Sequence, residues 1–161
     1  MDFAPTLIQV ARSYDGTTET SYNSGPHIDD WLKAVHCHPG DAWCAAALCA
    51  WIAETEKQLG IVFDFNPSAS ALSLLELNPH LVVAVPQPGD LAIFCHDRPK
   101  HLGHAGLVTS TISMNSDLAS FSFLSGNTFK DASSREGNTV AEHPAFARDP
   151  KLAGFLRLAI R

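Results

Sequence analysis

The chain has 161 residues and a mass of 17.4 kDa, with 45% hydrophobic residues, 17% charged residues and a mean hydropathy of zero. That is one domain's worth of chain, residues 1–161, with enough apolar material for one core, and it excludes a disordered polyelectrolyte. Eleven Lys and Arg against seventeen Asp and Glu leave a net charge of −6 with no basic cluster, so neither a nucleic-acid backbone nor an anionic lipid surface is an expected partner.

The opening residues, Met1-Asp2-Phe3-Ala4-Pro5, lack a positive n-region and an apolar run, and no stretch approaches membrane-spanning length. The expectation is synthesis in a cytoplasm without a signal peptide and no stable membrane association. Cys37, Cys44, Cys49 and Cys95 form no Cys-x-x-Cys pair, which argues against a zinc knuckle and a thioredoxin-like redox pair. A chain of this size does not need disulfides to fold, so a cysteine kept for reactivity is open.

In chain order, Leu7 to Tyr14 has a helical pattern, followed by a polar loop through Gly25 and Pro26. From His27 to Val35, the residues Ile28, Trp31, Leu32 and Val35 fall on one helical face, with Asp29 and Asp30 in the first turn. Pro39-Gly40 breaks the chain, Asp41 is an N-cap residue type, and Ala42 to Gln58 is rich in helix formers up to a stop at Gly60. This third segment is apolar through Ile52 and charged after it, the pattern of a helix that starts in the core and emerges into solvent. Ser68 or Ser70 caps a short helix through Leu77, ended by Asn78-Pro79.

Beyond that point β-branched and aromatic runs take over: Leu81 to Val85, Leu91 to Cys95, His104 to Ile112, Ala119 to Ser125 and Gly154 to Arg161. Pro88-Gly89-Asp90, Arg98-Pro99 and Asn115-Ser116-Asp117 punctuate them, and Thr128 to Asn138 reads as a long loop. Helices first and strands after, joined by hairpin-length connections, predict an α+β fold with N-terminal helices packed on a mainly antiparallel sheet.

With Asp41 as N-cap, Cys44 falls in the first helical turn among unpaired backbone amides, where a thiolate is favoured. Cys49, five residues on, faces another way. In an Ala-rich helix a cysteine also serves as a small buried hydrophobe, and its place in the first turn is what distinguishes Cys44. A cysteine nucleophile needs a base, and the base an orienter. His104 opens a strand between Gly103 and Gly106, where small residues leave room for a substrate. Asn127, on the next strand after Phe121, Phe123 and Ser125 in period two, offers an amide to an imidazole nitrogen; it is also an ordinary turn former. Two histidine-containing clusters, His36, His38 and Asp41, and His96, Asp97, His101 and His104, leave a zinc-dependent hydrolase as an alternative, although no His-Glu-x-x-His segment occurs.

Three stretches carry a resemblance. Asn23-Ser24-Gly25-Pro26 and Trp31-Leu32 lead to Gly40-Asp41-Ala42-Trp43-Cys44-Ala45-Ala46. Pro88-Gly89-Asp90-Leu91-Ala92-Ile93-Phe94 leads to Gly103-His104-Ala105-Gly106. Gly126-Asn127-Thr128 is followed by Ser134-Arg135-Glu136-Gly137-Asn138-Thr139-Val140. Together they resemble the CHAP-type, NlpC-like branch of the papain superfamily of cysteine peptidases and amidases, over about Asn23 to Val140. The resemblance implies a papain-like fold, Cys44 as nucleophile, His104 as base and Asn127 as orienter, with no metal or organic cofactor. The chain departs from it at Ser125, where many relatives carry an acid. The oxyanion donors stay open beyond the Cys44 amide, with Trp43 and His38 as candidates for a second.

By that resemblance the expected activity is hydrolysis of an amide bond in peptidoglycan, as an amidase or endopeptidase. The carrier would be a phage endolysin or an antibacterial effector acting in the periplasm or cell wall of a target bacterium, with a cognate immunity or inhibitor protein as a further partner. A cysteine protease or deamidase acting on proteins keeps the same chemistry, and a catalytically silent binding module keeps only the scaffold.

Overall fold

Four helices precede six strands in the computed structural model, which describes residues 2–112, 120–128 and 137–161. Helix α1 (Ala4–Ser13) starts with a proline in its first turn and buries Leu7, Val10 and Ala11. Helix α2 (Pro26–Ala34) buries the expected Ile28, Trp31 and Leu32. The Asp29 carboxylate accepts from the Gly25 amide and the Ser24 hydroxyl, both at 3.2 Å, so the first-turn acid satisfies backbone that the helix itself leaves unpaired. Helix α3 (Cys44–Leu59) is buried almost continuously to Ile52 and ends at Gly60, whose φ of 65° provides the left-handed stop. Helix α4 (Ala71–Leu77) is capped by Ser70, the second of the two serines considered, which accepts the Ser73 amide at 3.4 Å.

The strands are β1 (Val82–Val83), β2 (Leu91–Asp97), β3 (Leu102–Thr111), β4 (Ser120–Thr128), β5 (Thr139–Phe146) and β6 (Leu152–Leu156). They form one sheet in the order β1-β6-β2-β3-β4-β5, with every neighbouring pair antiparallel. The α+β expectation therefore holds. The run Leu81 to Val85 contributes only two strand residues, because Pro79 to Leu81 form a 3-10 turn first. Beyond β6, Leu158 is buried, whereas Ile160 is exposed and joins Phe63 through an isolated bridge. Strand β5 was not expected, since Pro144 interrupts its pattern. It is tolerated because β5 lies at the sheet edge, where a missing N–H faces no partner. The turn at Asn115-Ser116-Asp117 and most of the loop Thr128 to Asn138 lie outside the described residues.

The two faces of the sheet differ. Leu91, Ile93, Ala105, Leu107, Leu124 and Leu156 join α1 to α4 in the main core. The opposite face carries Phe94, Val108, Phe121, Phe123 and Phe155 as a second buried cluster. Phe121 on β4 and Phe155 on β6 are three strand spacings apart, about 14 Å in a flat sheet, yet their rings meet edge-on at 5.2 Å. The sheet is therefore strongly coiled, with the phenylalanine face on the inside and α3 packed across β3 and β4 on the outside.

Candidate active site

The first backbone bond of α3 runs from the Ala47 amide to the Trp43 carbonyl at 2.9 Å, which makes Trp43 the cap and Cys44 the first helical residue. This corrects the expectation that Asp41 caps a helix starting at Ala42. Asp41 instead accepts the His38 amide through Oδ2 at 2.9 Å and closes a turn upstream. Tertiary contacts set this start. Trp43 is fully buried, its Nε1 donates to Glu19 Oε1 at 2.9 Å, and its ring lies so close to Gly126 that a Cβ there would come within 2.4 Å. The other Glu19 oxygen accepts the Asn23 amide at 3.0 Å, and Asn23 Nδ2 donates to the Gly40 carbonyl at 3.0 Å. Trp43 is thus core and does not line a substrate subsite. Glu19 and Asn23, which sequence reasoning did not single out as bracing residues, tie the chain before α3 in place; the Asn23-Ser24-Gly25 motif was the available signal.

Cys44 is buried at the start of α3, where the leading amides have no intrahelical acceptor and the helix dipole favours a thiolate. It lines a cleft of about 350 Å³ together with Cys37, Asp41, Ser70 and Gly103. The neighbouring thiols are in less favourable places. Burial pushes Cys49 up to about 11 despite a contact from its sulfur to the Ser68 carbonyl at 3.5 Å. Burial, followed by the Asp41 charge, also raises Cys37.

His104 lies near the start of β3 and Asn127 near the end of β4, and in an antiparallel pair these are the same end of the sheet. The β3–β4 register ends with Leu107 paired to Leu124, three residues from His104 on one strand and three from Asn127 on the other. Trp43 against Gly126 binds this end to the start of α3, and Gly103 lines the same cleft as Cys44. The structure therefore brings Cys44, His104 and Asn127 to one end of the sheet. Strand alternation places Gly103 and Ala105 toward the helices and His104 toward the coiled inner face. There it pairs with Phe94, and its ring meets Phe123 at 6.3 Å.

Asn127 has a left-handed φ of 52°, at a register shift between β4 and β5. Its Oδ1 and the Ser125 hydroxyl are both buried with no hydrogen-bond partner among the described residues, so Oδ1 is not joined to His104 in this structure. Each such group costs about 1–3 kcal/mol, and two of them two residues apart mark a strand end that is not optimised for stability. A second buried histidine, His143 on β5, was not singled out from sequence. It meets Phe123 at 6.0 Å and Thr128 Oγ1 at 3.2 Å through Nε2, and reading β5 as a strand would have found it.

Among the described residues no group of three or more His, Cys, Asp or Glu side chains could hold a metal ion, so neither histidine-containing cluster converges. A larger cleft, about 810 Å³, lies between α1 and the Pro88 turn and has no cysteine or histidine among the described residues of its lining. No helix among the described residues is long and apolar enough to cross a membrane. Comparisons with protein families, with curated proteins and with solved structures find nothing that matches the chain.

Proposed function

We propose that the chain is a cysteine-dependent amide hydrolase of papain-like architecture that cuts peptidoglycan. The observation that carries this reading is the placement of Cys44 as the first residue of α3, in an open cleft, near the sheet end where β3 begins with His104 and β4 ends with Asn127. The resemblance of the three sequence stretches to CHAP-type and NlpC-like modules supports the choice of wall over protein.

In this reading the Cys44 thiolate attacks the amide carbonyl, and the resulting oxyanion takes a hydrogen bond from the backbone amide of Cys44 at the start of α3. His104 holds the proton taken from the thiol and gives it to the departing amine. A thioester remains; His104 then takes a proton from water, hydroxide adds to the thioester carbonyl, and the thiol is released. In the reacting enzyme Asn127 Oδ1 accepts from the imidazole, which sets the tautomer. Producer and carrier follow the same reading: a phage lysin or an injected effector, held in check by an immunity protein in its producer.

Digestion of purified Gram-negative sacculi by the natural chain and by Cys44→Ala, with the released fragments weighed, tests the proposal. New fragments from the natural chain alone are the expected result, and their masses identify the bond. If both folded proteins release nothing, amides in proteins become the substrate to test.

A further inference from the structure

We propose that Cys37 and Cys44 are a redox pair: a hydroperoxide oxidises Cys44, and Cys37 captures it as a disulfide that switches the cleft off reversibly. This regulation rests on the reading of Cys44 as the nucleophile. Cys37 and Cys44 are the two cysteines that line the cleft.

Each thiol belongs to a helix end. Cys37 follows α2, where the His36 amide donates to the Lys33 carbonyl at 3.1 Å and the Cys37 amide to the Leu32 carbonyl at 2.8 Å. With His36 at a left-handed φ of 61°, these bonds form a Schellman ending, which fixes the Cys37 backbone while its side chain packs partly against the core. The turn from His38 to Asp41 then reverses the chain, closed by bonds of 2.9 and 3.1 Å between those two residues. Gly40 in this turn is tied to Asn23 by two bonds of 3.0 Å, and Cys44 opens α3 shortly after. The segment between the thiols is therefore short, turned back on itself and anchored.

The two thiols have opposite electrostatics. The N-terminus of α3 favours a thiolate at Cys44, the form that an oxidant attacks. Cys37 is at the negative end of α2, and burial followed by the Asp41 charge raises it. Oxidation therefore starts at Cys44, and Cys37 enters the second step through its position. The Cys44 thiolate attacks one peroxide oxygen, the O–O bond breaks, and a sulfenic acid and hydroxide result. The Cys37 sulfur then displaces the sulfenic hydroxyl, which leaves as water with the Cys37 proton. Neither remaining cysteine fits the second role. Cys49 lies five residues along the same helix, about 7.5 Å of axial rise from Cys44, beyond the roughly 4.4–6.8 Å between Cα atoms that a disulfide spans. Cys95 lies on β2, paired with Gly103, and does not line the cleft.

The reduced chain is treated with hydrogen peroxide, alkylated, digested and mapped by mass spectrometry, with and without later reduction by dithiothreitol. In the natural chain Cys37 and Cys44 should become blocked together, their shared peptide should lose two hydrogens, and dithiothreitol should return both to alkylation. In Cys37→Ser, Cys44 should instead gain two oxygens as a sulfinic acid that dithiothreitol does not reverse. In Cys44→Ser, Cys37 should stay open to alkylation at the same peroxide dose. Thermal unfolding checks that each reduced variant is folded, and Cys37→Ala replaces Cys37→Ser if the hydroxyl disturbs the core. A bond from Cys44 to Cys49, to Cys95 or to a second chain overturns the proposal. So does sulfinic acid forming at Cys44 as readily in the natural chain as in Cys37→Ser, or no reaction at Cys44. Sacculus hydrolysis, relative to each protein's own reduced rate, should be lost on oxidation and regained with dithiothreitol in the natural chain, and stay lost in Cys37→Ser. Hydrolysis that survives the disulfide overturns its role as a switch. If the disulfide forms and reverses while the reduced chain cuts no sacculi, the hydrolase reading fails and the redox pair stands.

Discussion

At the scale of single residues, the three thiols near the cleft are separated by their surroundings, and the difference is measurable. Cys49 is held near 11 against an ordinary 9.0, mainly by burial. A thiol raised in the folded state stays neutral while its unfolded counterpart ionises. Its contribution is therefore complete below pH 9 and is lost as pH rises toward 11. The two values differ by 2 pH units, so the loss approaches about 3 kcal/mol. Urea midpoints measured from pH 8 to pH 11 should fall more steeply for the natural chain than for Cys49→Ala; parallel curves would show that another group carries the alkaline loss. Asn127 provides the opposite test. Replacing it by alanine removes a buried, unsatisfied oxygen worth about 1–3 kcal/mol, and places a Cβ residue at a left-handed φ at a cost of about 1–2 kcal/mol. Stability should therefore change little. Activity on sacculi should fall, by less than in Cys44→Ala or His104→Ala, because orientation is only part of the chemistry. A loss as large as that of Cys44→Ala would mean that Asn127 does more than orient the imidazole.

At the scale of elements, the contact that matters most is between one glycine and one tryptophan. Gly126 on β4 lies so close to Trp43 that a Cβ there would be 2.4 Å from the ring and 3.2 Å from Ala47, and the ring is held from its other end by Glu19. Gly126→Ala must push Trp43, and with it the first residue of α3, away from the sheet. Overpacking of this kind costs about 1–3 kcal/mol, and sacculus hydrolysis should fall by more than the folded fraction does, since Cys44 moves with Trp43. An Ala variant with full activity per folded molecule would show that the nucleophile's position does not depend on this contact. The same contact explains why the helix start was misread by two residues. Asp41 has the side chain of a cap, but a cap is a local preference of about 1 kcal/mol, and the buried ring and its hydrogen bond to Glu19 override it. Helix interiors were legible because Ile28, Trp31 and Leu32 repeat with the helical period, and Ala45 to Ile52 is an unbroken apolar run rich in helix formers. Strand β5 was hidden by Pro144, and the orphaned oxygens of Ser125 and Asn127 leave no trace in sequence at all. The order of Cys44, His104 and Asn127 along the chain could be read directly. The face of the sheet that His104 takes could not, because it depends on which side of β3 the helices cover.

At the scale of the whole molecule, Pro88-Gly89-Asp90 braces the fold at a distance from the candidate site. Gly89 takes a φ of 95° and lies 2.6 Å, at its Cβ position, from Ala4 on α1, so the turn needs both the conformational freedom and the small size of glycine. Asp90 bonds Val108 through its backbone carbonyl, and Val108 is roughly 13 Å along β3 from His104. The carboxylate makes a two-point contact with Arg157 just after β6, Oδ1 to Nε at 2.9 Å and Oδ2 to Nη2 at 2.8 Å. It also accepts the Gln87 amide, while Nη2 reaches the Val85 carbonyl. This cluster links α1, the entry to β2 and the chain leaving β6, at the end of the sheet opposite Cys44. The two partners are unequally buried, with side-chain exposure of 3% for Asp90 and 36% for Arg157, so the two ways of breaking the pair are not equivalent. Arg157→Met leaves a carboxylate charge in the interior and should cost about 3–5 kcal/mol. Asp90→Asn leaves a guanidinium that can rehydrate and keeps an acceptor for Gln87, so a loss of about 1–2 kcal/mol is expected. Thermal unfolding of the two variants, together with sacculus hydrolysis measured well below each transition, separates stability from catalysis. Both should melt earlier, Arg157→Met by more, with the rate per folded molecule unchanged. A reduced rate in a variant that is still fully folded would mean that the far end of the sheet transmits strain along β3 to His104, and the coiled sheet would then act as one rigid body joining its two ends.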